Sequence, residues 1–274
     1  QWFKNGADAG VTTSTISNSY FNKNDQLICQ IMPSDGTTNG TAQNSTSLTI
    51  SNAPPTTPTT LTPISGTFGG TQNVISISTS GSTDPDVGDT VNYTIEAFYD
   101  SSWQVLETAG DGAYNWDISG LTTQNITLRS KATDGFTDSA YFYITGNITI
   151  DNAGPYYLDN SDDSSGTVSE GTIVNVSVLW QDSVALGAGI MRTNQSGSWV
   201  NVSTCALSST SDWCNKTINT AGYVGNTICW NQYANDSMGN WNTTMLQTNC
   251  FSVADITKPS FTLVAPTPGA VYNQ

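Results

Sequence analysis

Apolar and polar residues alternate at period two in one short run after another, and Gly, Asp, Asn, Ser or Pro bounds each run. The clearest are Val74-Ile75-Ser76-Ile77-Ser78, Val91 to Ala97, Asn125 to Leu128, Asn147 to Ile150 and Val174 to Trp180. In an extended strand a period of two sends neighbouring side chains to opposite faces, and β-branched and aromatic residues suit such a pleated surface. No stretch carries the i, i+3, i+4, i+7 spacing of an amphipathic helix. The chain is therefore expected to be all-β and built from sandwiches.

Charge then narrows the possible functions. Only 11% of the residues are charged, yet 22 Asp and Glu face 7 Lys and Arg, a net charge of −15. Nucleic acid and anionic membrane surfaces need clustered cations, so neither is an expected partner. The chain has no histidine, which removes the commonest general base and transition-metal ligand and the His-activated nucleophile pairs. No Gly-rich phosphate loop occurs and most acids fall in turns, so the chain is not expected to be an enzyme. The longest apolar runs, such as Phe261-Thr-Leu-Val-Ala, are strand-sized, so no membrane span is expected. The opening Gln1-Trp2-Phe3-Lys4-Asn5-Gly6 reads as the middle of a β-domain rather than a signal peptide.

One pattern recurs three times: a strand, an Asx-Gly type of turn, a second strand, then Asn or Asp before a proline-bearing segment. It runs from Cys29 through Asp35-Gly36 to Asn52, from Leu128 through Asp134-Gly135 to Asn152, and from Cys229 through Asn235-Asp236 to Asp255. Asp35, Asp134 and Asp236 are 99 and 102 positions apart, the size of one immunoglobulin-like sandwich. That phase divides the chain into a partial domain at 1–53 with strands C to G, complete domains at 54–152 and 153–254, and at 255–274 the first strand of a further domain or a donor strand.

Trp2-Phe3-Lys4-Asn5-Gly6 with Cys29 and Pro33-Ser34-Asp35-Gly36 resembles the second half of an immunoglobulin-like repeat from long archaeal or bacterial surface proteins. Ser82-Thr83-Asp84-Pro85-Asp86-Val87-Gly88-Asp89 resembles the Asp-Pro-Asp hairpin entry of fibronectin type III, PKD and cadherin-like repeats. The resemblance implies tandem sandwiches at the cell surface: a structural, glycosylated array forming a filament, stalk or surface layer, with copies joined head to tail. The alternative it leaves is an adhesin or a glycan-binding ancillary module of a secreted protein. It also implies that Cys29 lies in an F-like strand, whose usual partner sits in a preceding strand B.

Eleven Asn-x-Ser/Thr triplets mark candidate N-glycosylation sites: Asn39, Asn44, Asn92, Asn125, Asn147, Asn175, Asn194, Asn201, Asn215, Asn235 and Asn242. With so few charges, a glycan coat is the expected solubiliser. A surface rich in Asn, Ser and Thr also generates such triplets by itself. Asp84, Asp86 and Asp89 follow a B-like strand and Asp134 follows an F-like strand, turns that share one end of a sandwich. Carboxylates and backbone carbonyls from such loops are calcium ligands, and Asp-Pro and Asp-Gly turns capping their own backbone are the simpler account. Cys229 and Cys250 are symmetric about the turn near Gly239, and Cys205 and Cys214 bracket a short loop. Those two disulfides are the preferred arrangement of three, with buried free thiols as the alternative. Trp103, Trp116, Trp180, Trp199, Trp213 and Trp230 mostly alternate with polar neighbours, which favours core or inter-sheet packing over a sugar platform.

Overall fold

A computed structural model describes residues 1–242, 248–256 and 259–262. The chain forms two compact units, Gln1–Asn152 and Ala153–Gln274. The expected strands form, extended by a residue or more at several ends. The only helical element among the described residues is a 3-10 turn at Asn18–Tyr20.

The first unit starts with a single sheet in the order Ala7–Asp8, Trp2–Lys4, Gln26–Ile31, Gln43–Asn44, with Leu48–Thr49 also on Gln26–Ile31. Trp2 lies opposite Cys29 and Lys4 opposite Leu27, so Trp2, Leu27 and Cys29 share one face. No second sheet covers that face among the described residues. Leu27 and Val11 are buried, whereas Ile31, Met32 and Leu48 are more than half exposed.

A two-sheet sandwich follows. One sheet holds Ala113–Asp117, Val74–Ser80 and Thr60–Thr62; the other runs Ser102–Gly110, Asn92–Tyr99, Gln124–Thr133, Ile148–Ile150, Gly66–Phe68, with Phe142–Tyr143 beside Gln124–Thr133. Strict alternation in Val74–Ser80 and Gln124–Thr133 sends Ile75, Ile77, Ile126 and Leu128 inward. There they pack with Leu61, Ile95, Trp116, Ile118, Ile148 and Ile150. Fully burying side chains of this kind stabilises by about 1.5–3 kcal/mol each. Gly69, at φ +140°, permits the pairing of the parallel strands Gly66–Phe68 and Ile148–Ile150, because a Cβ there would lie 1.9 Å from the Asp151 carbonyl oxygen.

The second unit repeats the plan; with the head sheet counted first, these two are the second and third sandwiches. One sheet is Tyr156–Asp162, Ile173–Gln181, Ser211–Asn219; the other is Thr167–Ser169, Asn249–Ala254, Thr227–Asp236, Leu186–Thr193, Val200–Ala206. A short early strand again pairs in parallel with the last one, Thr167–Ser169 with Asn249–Ala254. The core is built on Trp180, Trp230, Val174, Val176, Val178, Met191 and Phe251. Trp230 donates its indole N–H to Asp162 Oδ2 at 2.9 Å, which satisfies the polar edge of a buried ring.

Cys205–Cys214 and Cys229–Cys250 are both disulfides. Cys229 and Cys250 face each other on neighbouring strands. Cys205 and Cys214 do more than close a loop: their strands belong to different sheets, so the bond ties the two layers together. Cys29 is the one free cysteine among the described residues. The tryptophans divide. Trp116, Trp180 and Trp230 are core, but Trp199 and Trp213 are 38% and 41% exposed and Trp103 lies on an outer face. An alternating strand has two faces, and local pattern alone does not say which one is buried. Of the 255–274 tail, 257–258 and 263–274 lie outside the described residues, and with them most of the strand expected at Phe261 to Ala265.

Candidate functional site

The four carboxylates singled out in the sequence lie where the head sheet meets the second sandwich, inside the first unit. Asp84, Asp86 and Asp89 occupy the loop after Val74–Ser80, with one carboxylate oxygen of each within 4.8 Å of the others. Asp134 sits in the turn after Gln124–Thr133 and is not part of that trio. Its Oδ1 accepts the backbone N–H groups of Phe136 and Thr137, both at 2.7 Å. Its Oδ2 accepts the Asn52 side-chain amide at 2.7 Å and the Thr137 hydroxyl at 3.2 Å. Burial pushes this carboxyl up, but the Thr137 N–H, the Asn52 amide and the Phe136 N–H outweigh it and hold Asp134 well below the usual carboxylate range.

Residues from the head and linker reach into the same place. The backbone N–H of Ala53 donates to Asp86 Oδ2 at 2.8 Å, and that of Thr56 to the Thr83 carbonyl at 2.9 Å. Lys23 forms an ion pair with Asp89 whose side chains are only 19% and 11% exposed. The same ammonium lies 4.2 Å above the Phe136 ring and 3.4 Å from Asn52 Oδ1. The hydrogen bond to Asp89 raises the Lys23 pKa against its own desolvation, helped by the charges of Asp89, Asp134 and Asp86.

Calcium takes six to eight oxygen ligands, and here the converging acids are already partly engaged by groups of the chain itself. Both Asp134 oxygens are committed to N–H and O–H donors, Asp86 Oδ2 holds the linker, and Asp89 holds an ammonium. Asp84 Oδ2 is buried with no hydrogen-bond partner, and the contacts to Asp86 and Asp89 engage one oxygen of each.

The third sandwich places Asp182 and Asp236 at the corresponding turns, 4% and 1% exposed. Asp236 accepts the N–H of Met238 and Asn240 and the Asn240 side-chain amide, while Asp182 accepts the Val184 N–H. Burial, seconded by the charge of Asp236, raises the Asp182 carboxyl above its ordinary value.

Asn39, Asn44, Asn125, Asn147, Asn175, Asn201 and Asn215 are exposed, and Asn92, Asn194, Asn235 and Asn242 are half-buried. Several strand triplets interlock. Asn125 opposes Thr149, which donates to it at 2.9 Å, and Asn175 opposes Thr217 while Ser177 opposes Asn215. Cross-strand pairing of Asn with a hydroxyl residue thus accounts for these triplets physically. Asn194 and Asn235 accept the backbone N–H groups of Cys229 and Ala188, and Asn242 donates to the Pro155 carbonyl.

One cluster escaped the sequence reading. On the outer face of the second sandwich, Glu96 is 6% exposed and accepts the Arg129 guanidinium at 2.5 and 2.7 Å and the Tyr141 hydroxyl at 2.6 Å. Arg129 is clamped between the rings of Trp103 and Tyr141, 3.9 Å from each, and Phe98 and Tyr143 pack edgewise against Trp103. The available signal was the pairing of Arg129 and Lys131 at period two, opposite in phase to the buried Leu128 and Ser130.

No helix among the described residues is long and apolar enough to cross a membrane. No family model and no curated protein matches the chain. Among solved structures, the chicken CNTN1 FN1-FN3 domains are 14% identical over 85% of this chain and 77% of that one, with a TM-score of 0.33. The selenomethionine-substituted chicken interferon gamma receptor alpha chain is 17% identical over 72% of this chain and 98% of that one, at 0.26. Superpositions this loose carry no weight, and the assignment to immunoglobulin-like sandwiches rests on the sheets themselves.

Proposed function

We propose that the chain is a non-catalytic structural segment of an extracellular array, in which immunoglobulin-like sandwiches are docked stiffly end to end to make a stalk, filament or surface layer. The joint of the first unit carries this reading. Lys23, Asn52, Ala53 and Thr56 all bind the turns of the next sandwich, where a flexible linker would make no such contacts. Two disulfides support an oxidising exterior. Head-to-tail association of copies fits an array that grows by one repeated translation and rotation. The glycan coat belongs on the exposed triplets. Asn194, Asn235 and Asn242 use their amide groups internally and are expected to stay bare.

Residual dipolar couplings decide the main point: one alignment tensor should fit both the head sheet and the second sandwich, and two independent tensors refute a stiff array. Glycopeptide mass spectrometry of native material should find sugar on exposed sites such as Asn147 and Asn215. Unmodified peptides at every triplet remove the coat from the proposal.

The aromatic face at Phe98, Trp103 and Tyr143 favours a second reading, an adhesin or glycan-binding module. Its separate test is binding to immobilised oligosaccharides, abolished by Trp103→Ala.

A further inference from the structure

We infer that Lys23 is a tethered cation that occupies the place a metal ion would take, so that the joint between head sheet and sandwich closes without metal. The inference rests on the joint being stiff, and it begins from the acids that the chain's own groups already engage. Asp84, Asp86 and Asp89 bring three carboxylate oxygens within 4.8 Å of one another. Like charges that close need a counter-charge. The first unit supplies it from the other side of the joint, where Lys23 reaches out of the head sheet onto Asp89.

The seat is specific for that side chain in three ways. The Phe136 ring lies 4.2 Å below the ammonium, and the face of an aromatic ring attracts a cation. Asn52 is oriented by donating to Asp134 and Thr137, which leaves its carbonyl oxygen turned to Lys23 at 3.4 Å. The Ala53 N–H holds Asp86 in place beside them. A lysine has an advantage over a free ion here. Its charge arrives already attached to the head, so neutralising the acids and docking the sheet are one event, with no dependence on ion concentration. A diffusible ion would make the same joint responsive to its surroundings.

The consequence is a conversion. Without the ammonium, Asp89 loses its ion pair beside the carboxylates of Asp84 and Asp86, and the joint should come to need a divalent cation. The test compares the full chain with Lys23→Met, which keeps the length of the stem, and Lys23→Arg, which keeps the charge. Dipolar couplings of the head sheet and second sandwich are measured in EDTA and with CaCl2 up to about 1 mM, the affinity range of weak extracellular calcium modules. Calorimetric titration with CaCl2 is run in parallel.

The wild type and Lys23→Arg should fit one tensor in EDTA and give no calcium heat. Lys23→Met should need two tensors in EDTA, return to one with CaCl2, and bind calcium stoichiometrically. Should Lys23→Met fail to fold, Asp89→Asn breaks the same contact from the sandwich side and should also need two tensors. Stoichiometric calcium uptake by the wild type overturns the inference, as does a Lys23→Met chain that stays stiff in EDTA or stays loose in CaCl2. Those failures leave the stiff array standing. Two tensors for the wild type itself overturn the stiff joint and the clasp together.

Discussion

The second and third sandwiches share a plan of paired sheets with a short parallel strand beside the last one, yet they are fastened by different chemistry. The third is cross-linked: Cys205–Cys214 joins its layers and Cys229–Cys250 joins neighbouring strands. The second lacks cysteine and instead carries the Glu96–Arg129–Tyr141 network under Trp103. A disulfide acts largely by constraining the unfolded chain, whereas a buried ion pair acts only in the folded state and repays its desolvation only with good geometry. The shared fold therefore does not dictate the fastening. Any interaction that ties neighbouring strands or layers together meets the need.

Reduction should separate the two most strongly. Removing Cys205–Cys214 by a double Ser substitution should cost the third sandwich about 2–5 kcal/mol, seen in calorimetry as one transition moving down while the other holds. If both move together, the sandwiches are not independent and the comparison fails.

Arg129→Ala should do the reverse. It leaves the Glu96 carboxylate buried with the Tyr141 hydroxyl but no counter-charge, which costs about 3 kcal/mol for a pair partly open to water, and only the transition insensitive to reductant should shift. Glu96→Gln should cost less, because the Arg129 charge it leaves without a carboxylate is the more exposed of the pair and still stacks on Trp103 and Tyr141.

Acid should produce a smaller effect that weighs on the first unit, where Asp25, Asp35, Asp117, Asp134 and Asp138 are lowered and Glu107 is raised, more than on the second, where Asp163 is lowered and Asp182 raised. The Asp134 carboxyl is held below its unfolded value, so its contribution is complete above about pH 4, the ordinary carboxylate range, and is lost as pH falls further. Asp25, Asp35, Asp117 and Asp138 in the same unit are lowered too. The Asp182 carboxyl is raised, so protonating it favours the fold, and its contribution rises as pH falls through its folded value toward the unfolded one. The first unit should therefore lose stability earlier on acidification, and Asp182→Asn should narrow the gap. A first unit that outlasts the second in acid would break this part of the comparison.

The strands were legible because alternation is local: Val74–Ser80 and Ile173–Gln181 announce themselves from a handful of residues. The spacing of Asp35, Asp134 and Asp236 was visible for the same reason, as turn residues returning at the length of a sandwich. Symmetry about a turn favoured Cys229–Cys250 and a short intervening loop favoured Cys205–Cys214, one arrangement of three; that Cys205–Cys214 spans the two sheets was hidden, because layer membership depends on which strands pair.

The acidic loops were visible as turn residues. Their meaning depended on Lys23, which lies 66 positions before Asp89 and meets it only through docking of the head sheet. The outward ladder of Trp103, Arg129 and Tyr141 was hidden for the same reason. Period two by itself determines that a strand has two faces; only the packing of one sheet on another decides which face is the core. Local sterics and hydrophobic spacing act between residues close in the chain, so they can be read from it. Partners brought together across sheets and across the joint become visible only once the whole chain has folded.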